Sequence, residues 1–302
     1  MSKPVPSVPA PQVSAHRTAV ALLQAMRPRQ WTKNLFLFVG MVFTDNWHLL
    51  PRALSAFVLF CALSSGMYLL NDVRDRERDR VHPTKRNRPV ASGALAVGAA
   101  TAFGIVLIAG GLAGALLLGR RFAATALLFV ALQVAYTYGL KNAVILDVFA
   151  IAMAFVLRAI AGAAAVGVPD SVWLLVCTLQ LALFLGFGKR RHELVELEQE
   201  AGSHRDTLDH YSVPFLDQMI SIVLGALVVS YAVYSVSSPT AASHPGMVFT
   251  LPFVLYGIFR YLYLIHIRRM GGSPEAVLLS DRPLQMALLL WLLCVVAAFK
   301  LR

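Results

Sequence analysis

The sequence predicts an all-α integral membrane protein with nine transmembrane helices in one bundle and a polar cap on the cytoplasmic side. Three observations predict it. Hydrophobic residues make up 58% of the 302 and charged residues only 14%, and mean hydropathy is +0.65, a composition that suits lipid better than water. Apolar stretches of about twenty residues, the length that crosses a bilayer as a helix, recur along the chain. The basic residues alternate with those stretches. With the N-terminus placed in the cytoplasm, 20 of the 27 Lys and Arg fall on the cytoplasmic side and 5 on the other, leaving Arg158 and Arg260 within spans. That is the positive-inside pattern.

Residues 1–20 are rich in Pro, Ser and Ala and lack an apolar core of signal-peptide length. They read as a disordered tail, with 21–302 as the membrane domain. Spans follow at 34–51, 53–70, 94–118, 122–140, 143–166, 171–188, 213–236, 246–266 and 283–300. Asp45 and His48 interrupt the first. Alternating segments of about ten residues, the mark of a membrane β-barrel, are absent. The two largest connections, 71–93 and 189–212, follow the second and sixth spans, a spacing that matches a duplication of four helices. Lys189–Glu198 extends the sixth span as a helix that Gly202 ends. Gly110, Gly111 and Gly114 suit close helix packing. Cys61, Cys177 and Cys294 sit singly in apolar spans and take packing roles. A net charge of +11 would suit nucleic acid. Its distribution follows membrane topology instead, so membrane lipids are the expected partners and nucleic acid is not.

The chemistry concentrates after the second span. On a helix, with Asp72 at zero, Asn71, Asp75 and Asp79 lie at roughly −100°, −60° and −20°. The four oxygen-bearing side chains share one arc and the interleaved arginines fall outside it. Hard oxygen ligands on one face suit Mg²⁺, particularly where phosphates complete its shell. The plainer account is a solvated helix end with pairs such as Asp72–Arg76 and Asp75–Arg78. That account leaves the clustering of the acids unexplained. Lys85, Arg86 and Arg88, between two prolines, are expected to hold phosphate oxygens. Lys33 and Asn34 open the first span and are candidate substrate contacts, while Trp31 beside them suits the membrane interface. Asp147 and Arg158 lie eleven positions apart, about 20° from one helix face, and ionisable groups within a membrane are costly enough to point to function. Asp147 has a local alternative in pairing with Lys141. Lys189, Arg190 and Glu193 form a second polar wall. No GxGxxG, Walker loop, HExxH or Ser/His/Asp arrangement is present.

The run Asn71-Asp72-x-x-Asp75-x-x-x-Asp79, placed after the second span, resembles the first aspartate-rich motif of the UbiA superfamily of intramembrane prenyltransferases. The resemblance covers about residues 20–300. It implies nine helices, a cytoplasm-facing polar cap over a lipid-accessible cavity, and aspartates that bind Mg²⁺ and a substrate diphosphate. Further stretches are similar to the branch of that superfamily that moves phosphoribose onto a polyprenyl phosphate, supplying cell-wall arabinan in actinobacteria. They are Arg27–Asn34, His82–Pro89, Tyr138–Lys141, Asp147 with Arg158–Gly162, and Lys189–Leu194. One departure fits that branch. Aromatic-prenylating members carry a DxxxD motif just after span six, where this chain has Lys189-Arg190-Arg191-His192-Glu193. Glu193 and Glu196, or Asp206 and Asp209, are the remaining candidates to replace it.

The implied reaction takes 5-phosphoribose from phosphoribosyl diphosphate to a polyprenyl phosphate and releases diphosphate. Asn71, Asp72, Asp75 and Asp79 hold Mg²⁺ on the leaving group, and Asp75 and Asp79 are catalytic with Arg158, which orients the acceptor phosphate. Lys33, Asn34, Lys85, Arg86, Arg88, Lys141, Asp147, Lys189, Arg190 and Glu193 bind substrate. The expected location is the plasma membrane with the site facing the cytoplasm, and a homo-oligomer is compatible with this. The alternatives are an aromatic prenyltransferase using a prenyl diphosphate and a non-enzymatic transporter. The latter more often shows helices broken at the midplane.

Overall fold

A computed structural model describes residues 15–42, 47–197, 208–270, 272 and 274–300. The regular structure among them is helical throughout. In chain order the α-helices are α1 (Ala15–Met26), α2 (Val39–Val42), α3 (Leu50–Arg74), α4 (Arg76–Val81), α5 (Val97–Leu118), α6 (Arg120–Tyr138) and α7 (Leu146–Val166). There follow α8 (Val172–Leu197), α9 (Val213–Ser237), α10 (Pro239–Ser243), α11 (Leu251–His266), α12 (Pro274–Ser280) and α13 (Arg282–Lys300). Short 3-10 helices join them at Pro28–Phe38, Trp47–Leu49, Lys85–Asn87, Leu140–Asn142, Leu208–His210 and Pro245–Thr250.

Eight stretches among the described residues are long and apolar enough to cross a membrane, and they match the second to ninth expected spans. The first expected span, 34–51, is not a continuous helix. It is built from the 3-10 run, the four residues of α2 and a second 3-10 turn; Asp45 lies outside the described residues. Two further expectations change. Helix begins at Ala15, inside the expected tail 1–20, because Ala15–Met26 is made of good helix formers; residues 1–14 lie outside the description. The helix carrying the aspartates breaks at Asp75, which has φ −89° and ψ 6° between α3 and α4. The i→i−4 bonds Asp75 N to Asn71 O and Asp79 N to Asp75 O persist at 2.9 and 2.8 Å. The backbone therefore bends at Asp75 without losing its helical hydrogen bonds on either side. The extension of the sixth span is observed, since α8 runs on to Leu197. Gly202 lies outside the described residues.

The chain divides into two compact units, one of residues up to Trp31 with Ala62–Gly110, the other of Thr32–Cys61 with Gly111–Arg302. In the first unit α1, the second half of α3 and the first half of α5 enclose a core of Ala21, Ala25, Leu69, Val90, Leu95 and Ala100. Gly66 lets α3 and α5 touch: a Cβ there would lie 2.7 Å from the Gly104 carbonyl oxygen, so any side chain would push the helices apart. In the second unit α6, α7, α8 and α9 pack in succession. Its largest core includes Val148, Phe184, Phe187, Leu216, Ile220 and Tyr261. The most buried span is α7, whose Ala159, Ala161, Gly162, Ala163 and Ala165 allow close neighbours. Gly162 is the closest approach, since a Cβ would meet the Leu37 carbonyl oxygen at 2.0 Å. By contrast, α13 exposes Leu288, Leu289, Leu290, Leu292 and Leu293, as a lipid-facing helix does.

Candidate functional site

Two polar clusters hold most of the candidate residues, one in each unit. In the first, Asp72 is buried at 1% exposure and Asp79 at 3%, while Asn71 and Asp75 are half-buried. Arg88 links the two buried acids, donating from Nη1 to Asp72 Oδ1 at 3.2 Å and to Asp79 Oδ2 at 2.7 Å. Arg27 donates to the same Asp72 oxygen and lies over the Tyr68 ring, 5.1 Å from its centroid. Asp72 Oδ2 is buried with no hydrogen-bond partner among the described residues, and so is Arg76 Nε. The partners of Asp72 therefore come from outside the aspartate block. Arg88, expected on phosphate, is placed on the carboxylates. Its position follows from its neighbours, because Pro89 and Val90 are buried and Leu95 N bonds to Pro89 O at 2.9 Å.

His82 sets the turn ahead of Arg88. Its Nδ1 accepts the Thr84 and Lys85 backbone N–H groups at 3.2 and 3.3 Å. Burial above all, and then the Lys85 charge, hold its pKa below the ordinary histidine value; Arg88 acts in the same direction and Asp79 against it. Lys85 is half-buried and Arg86 exposed on the 3-10 turn that follows.

The second cluster gathers Asp147, Arg190, Glu193 and Tyr211. Asp147, fully buried at the start of α7, accepts from Arg190 Nε at 2.7 Å and from the Tyr211 hydroxyl at 3.1 Å. Arg190 also donates to Glu193, and Lys189 Nζ lies 3.9 Å from Glu193. The partner of Asp147 is thus α8, not the nearby Lys141, which is buried in its own 3-10 turn. Arg190 is consumed between two carboxylates, whereas Lys189 is exposed and within electrostatic reach of Lys33. Asp147 and Arg158 share α7 but not surroundings. Arg158 donates from Nε to Asn34 Oδ1 at 2.8 Å and from Nη1 to Ala154 O at 2.9 Å. The Phe129 and Phe155 rings lie 4.7 and 5.4 Å from its guanidinium carbon, and Asn34 Nδ2 reaches Cys61 Sγ at 3.3 Å. Of the candidate replacements for the second aspartate motif, Glu196 lies 3.0 Å from His192 Nε2; Asp206 and the side chain of Asp209 lie outside the description. Sequence reading missed Arg27 and Tyr211 as site residues. Their partners stand 45 and 64 residues away, a separation that no local pattern reports.

The profile of the UbiA prenyltransferase family matches residues 34–280. This chain belongs to the UbiA prenyltransferase family. The UbiA chain is 35% identical over 296 residues to the decaprenyl-phosphate phosphoribosyltransferase of Corynebacterium glutamicum, covering 93% of this chain and 87% of that protein. It is 34% identical over 284 residues to the Mycobacterium tuberculosis enzyme of the same name, covering 92% and 93%. In structure it is similar to a UbiA homologue from Archaeoglobus fulgidus bound to DMAPP and Mg²⁺, with TM-score 0.70 and 18% identity over 93% of this chain and 100% of that one. That likeness is one of fold.

The donor set of this UbiA protein fits a hard divalent cation at one point, the unpartnered Asp72 Oδ2. Among the described residues no three His, Cys, Asp or Glu side chains converge as a ready metal cage. A metal here would share Asp72 with Arg27 and Arg88 and take its other ligands from Asp79, phosphate oxygens and water. That is the usual way Mg²⁺ is held, by one or two carboxylates plus substrate phosphates.

Proposed function

We propose that this protein transfers the 5-phosphoribosyl group from 5-phosphoribosyl 1-diphosphate to a polyprenyl phosphate, releasing diphosphate. The C1–O bond to diphosphate breaks and a phosphate oxygen of the lipid bonds to C1. The observation that carries the reading is the end of α8, where Lys189 and Arg190 stand in place of a second aspartate motif. One acidic cluster suits one diphosphate; Lys189, with Lys33 in electrostatic reach and Arg190 fixed beside it, suits the additional phosphates of a sugar phosphate and a lipid monophosphate. The near full-length likeness to two enzymes named for this reaction supports it.

Asp72 and Asp79, with Asn71 and Asp75, hold Mg²⁺, which when bound neutralises charge on the departing diphosphate. Arg88 pairs with both buried acids and Arg27 with Asp72, and these contacts orient the carboxylates. Lys85 and Arg86 attract phosphate oxygens. Lys33, Lys141 and Lys189 draw the remaining phosphates, and the repulsion between Lys33 and Lys189 is relieved when an anion arrives. The acceptor oxygen is already anionic, so no general base is required. Asn34 and Arg158 fix the 3-10 segment that bears Lys33; Asp147 and Glu193 fix Arg190. The distribution of basic residues supports a polar block facing the cytoplasm of the plasma membrane. The ribosylated lipid is the kind of precursor that cell-wall arabinan synthesis consumes.

The test is diphosphate release by the purified protein with Mg²⁺, phosphoribosyl diphosphate and a polyprenyl monophosphate, each omitted in turn. Release that needs all three, with a phosphoribosylated lipid product, is expected. Release from a prenyl diphosphate with an aromatic acid instead would replace this reading.

A further inference from the structure

The start of α7 holds a strained backbone. Ile145, its N-cap, has φ +69° and ψ −48°, and Leu146 N bonds to Val144 O at 2.8 Å. This is the three-residue turn with positive φ, which is rare and unfavourable for a β-branched residue. Such a conformation persists only where its surroundings impose it. No side chain of its own caps the helix there. The Ile145 N–H instead donates to the Tyr211 hydroxyl at 2.6 Å. The same hydroxyl donates to Asp147 Oδ1 at 3.1 Å, and Asp147 Oδ2 takes Arg190. One phenol oxygen therefore satisfies an orphan helix-start donor and orients the carboxylate two residues on. Tyr211 is buried, and burial above all pushes its pKa up to about 12. It stays a hydrogen-bond donor at any working pH.

We propose that Tyr211 is a positioning residue: its hydroxyl holds the Ile145 turn so that Asp147 fixes Arg190, and with it the Lys189–Glu193 end of α8. The substrate consequence rests on the function proposed above; the mechanical one does not. Without the hydroxyl, Ile145 N–H and a buried Asp147 oxygen both lose their partner. The turn then relaxes toward negative φ, and the cation wall loses its register.

The experiment uses the full-length protein in lipid nanodiscs with Tyr211→Phe, and Tyr211→Phe combined with Ile145→Gly. Amide exchange over 143–149, read by mass spectrometry without substrate, is expected to be about tenfold faster in Tyr211→Phe. The KM for phosphoribosyl diphosphate is expected to rise about tenfold with kcat within about threefold. Glycine adopts positive φ without strain, so the double variant is expected to recover much of that KM. Unchanged exchange over 143–149 overturns the positioning role whatever the kinetics. Faster exchange at unchanged KM, or a fall in kcat alone, overturns its link to substrate. Should Tyr211→Phe not fold, the double variant, which removes the strain as well, carries the same two measurements against wild type. A wild-type protein inactive on phosphoribosyl diphosphate would refute the proposed function and leave the exchange result to decide the clamp.

Discussion

Asp72 gives one oxygen to two arginines and keeps the other open, and the aspartate cluster turns on that asymmetry. A buried carboxylate needs its charge met, yet a metal ligand must keep a lone pair unclaimed by the protein. Arg27 and Arg88 meet the first need on Oδ1; Oδ2, which has no hydrogen-bond partner among the described residues, meets the second. Asp72→Asn keeps the shape and removes the charge. Diphosphate release by the folded variant is expected to fall about 100-fold or more, the scale on which metal-site partners act. A variant that turned over as fast as wild type would remove Asp72 from the metal site. His82 offers a second test, because its Nδ1 works as an acceptor only when unprotonated. Its folded pKa lies below the ordinary 6.5. Its contribution to stability is therefore complete above that value and is lost as pH falls through the lower, folded pKa. The oxygen of Asn accepts the same two N–H groups at any pH, as in an Asx turn. In thermal melts, His82→Asn is expected to match wild type at pH 7.5 and to lose part of the decline below about pH 6.5. An identical acid limb in both proteins would assign that decline to other groups.

At the scale of elements, the 3-10 segment Pro28–Phe38 shows where a packing contact overrides an apolar pattern. Its backbone lies directly on Gly162, and its Asn34 is tied to Arg158. Gly162→Ala is expected to cost about 1–3 kcal/mol, the usual range for overpacking, read as a lower melting temperature. An unchanged melting temperature would mean that the segment shifts freely. Arg158→Met separates two roles for the arginine. As a latch between Asn34 and two rings, its loss lowers the melting temperature and leaves the lipid KM within about threefold. A raised lipid KM at unchanged stability would return Arg158 to the acceptor phosphate. The sequence made eight of the spans legible because each is a long apolar run. Of the aspartate arc it made legible, through helical period, that Asp72 and Asp79 lie near one another, where Arg88 links them; among the described residues no three of the acids converge. It could not show the 3-10 form of 28–38, since the cause is a glycine on α7 more than 120 residues away. Nor could it show that Arg88 and Arg190 would be held by acids, because charge type alone does not distinguish a phosphate ligand from an ion-pair partner.

For the whole molecule, the open quantity is how often the chain crosses the bilayer. Eight helices suit crossing, and an even count would leave both ends on one side. The first unit argues for one crossing more. Arg27, just after α1, bonds to Asp72 near the end of α3. The 25 residues of α3 extend about 37 Å at 1.5 Å per residue. Between Arg27 and Leu50 the chain must therefore cover a comparable distance before α3 returns it. The 11 residues of the 3-10 run Pro28–Phe38 advance about 22 Å at 2.0 Å per residue, where an α-helix of the same length would advance about 16 Å. A crossing there places Ala19 and the aspartate block on one side of the membrane. Single cysteines at the exposed Ala19 and Arg78, in a background lacking Cys61, Cys177 and Cys294, test this with a membrane-impermeant maleimide on intact cells. Labelling of both Ala19→Cys and Arg78→Cys only after permeabilisation is expected. Labelling of just one of the two without it would set the count at eight, and the segment 28–49 would then enter and leave the membrane on the same side.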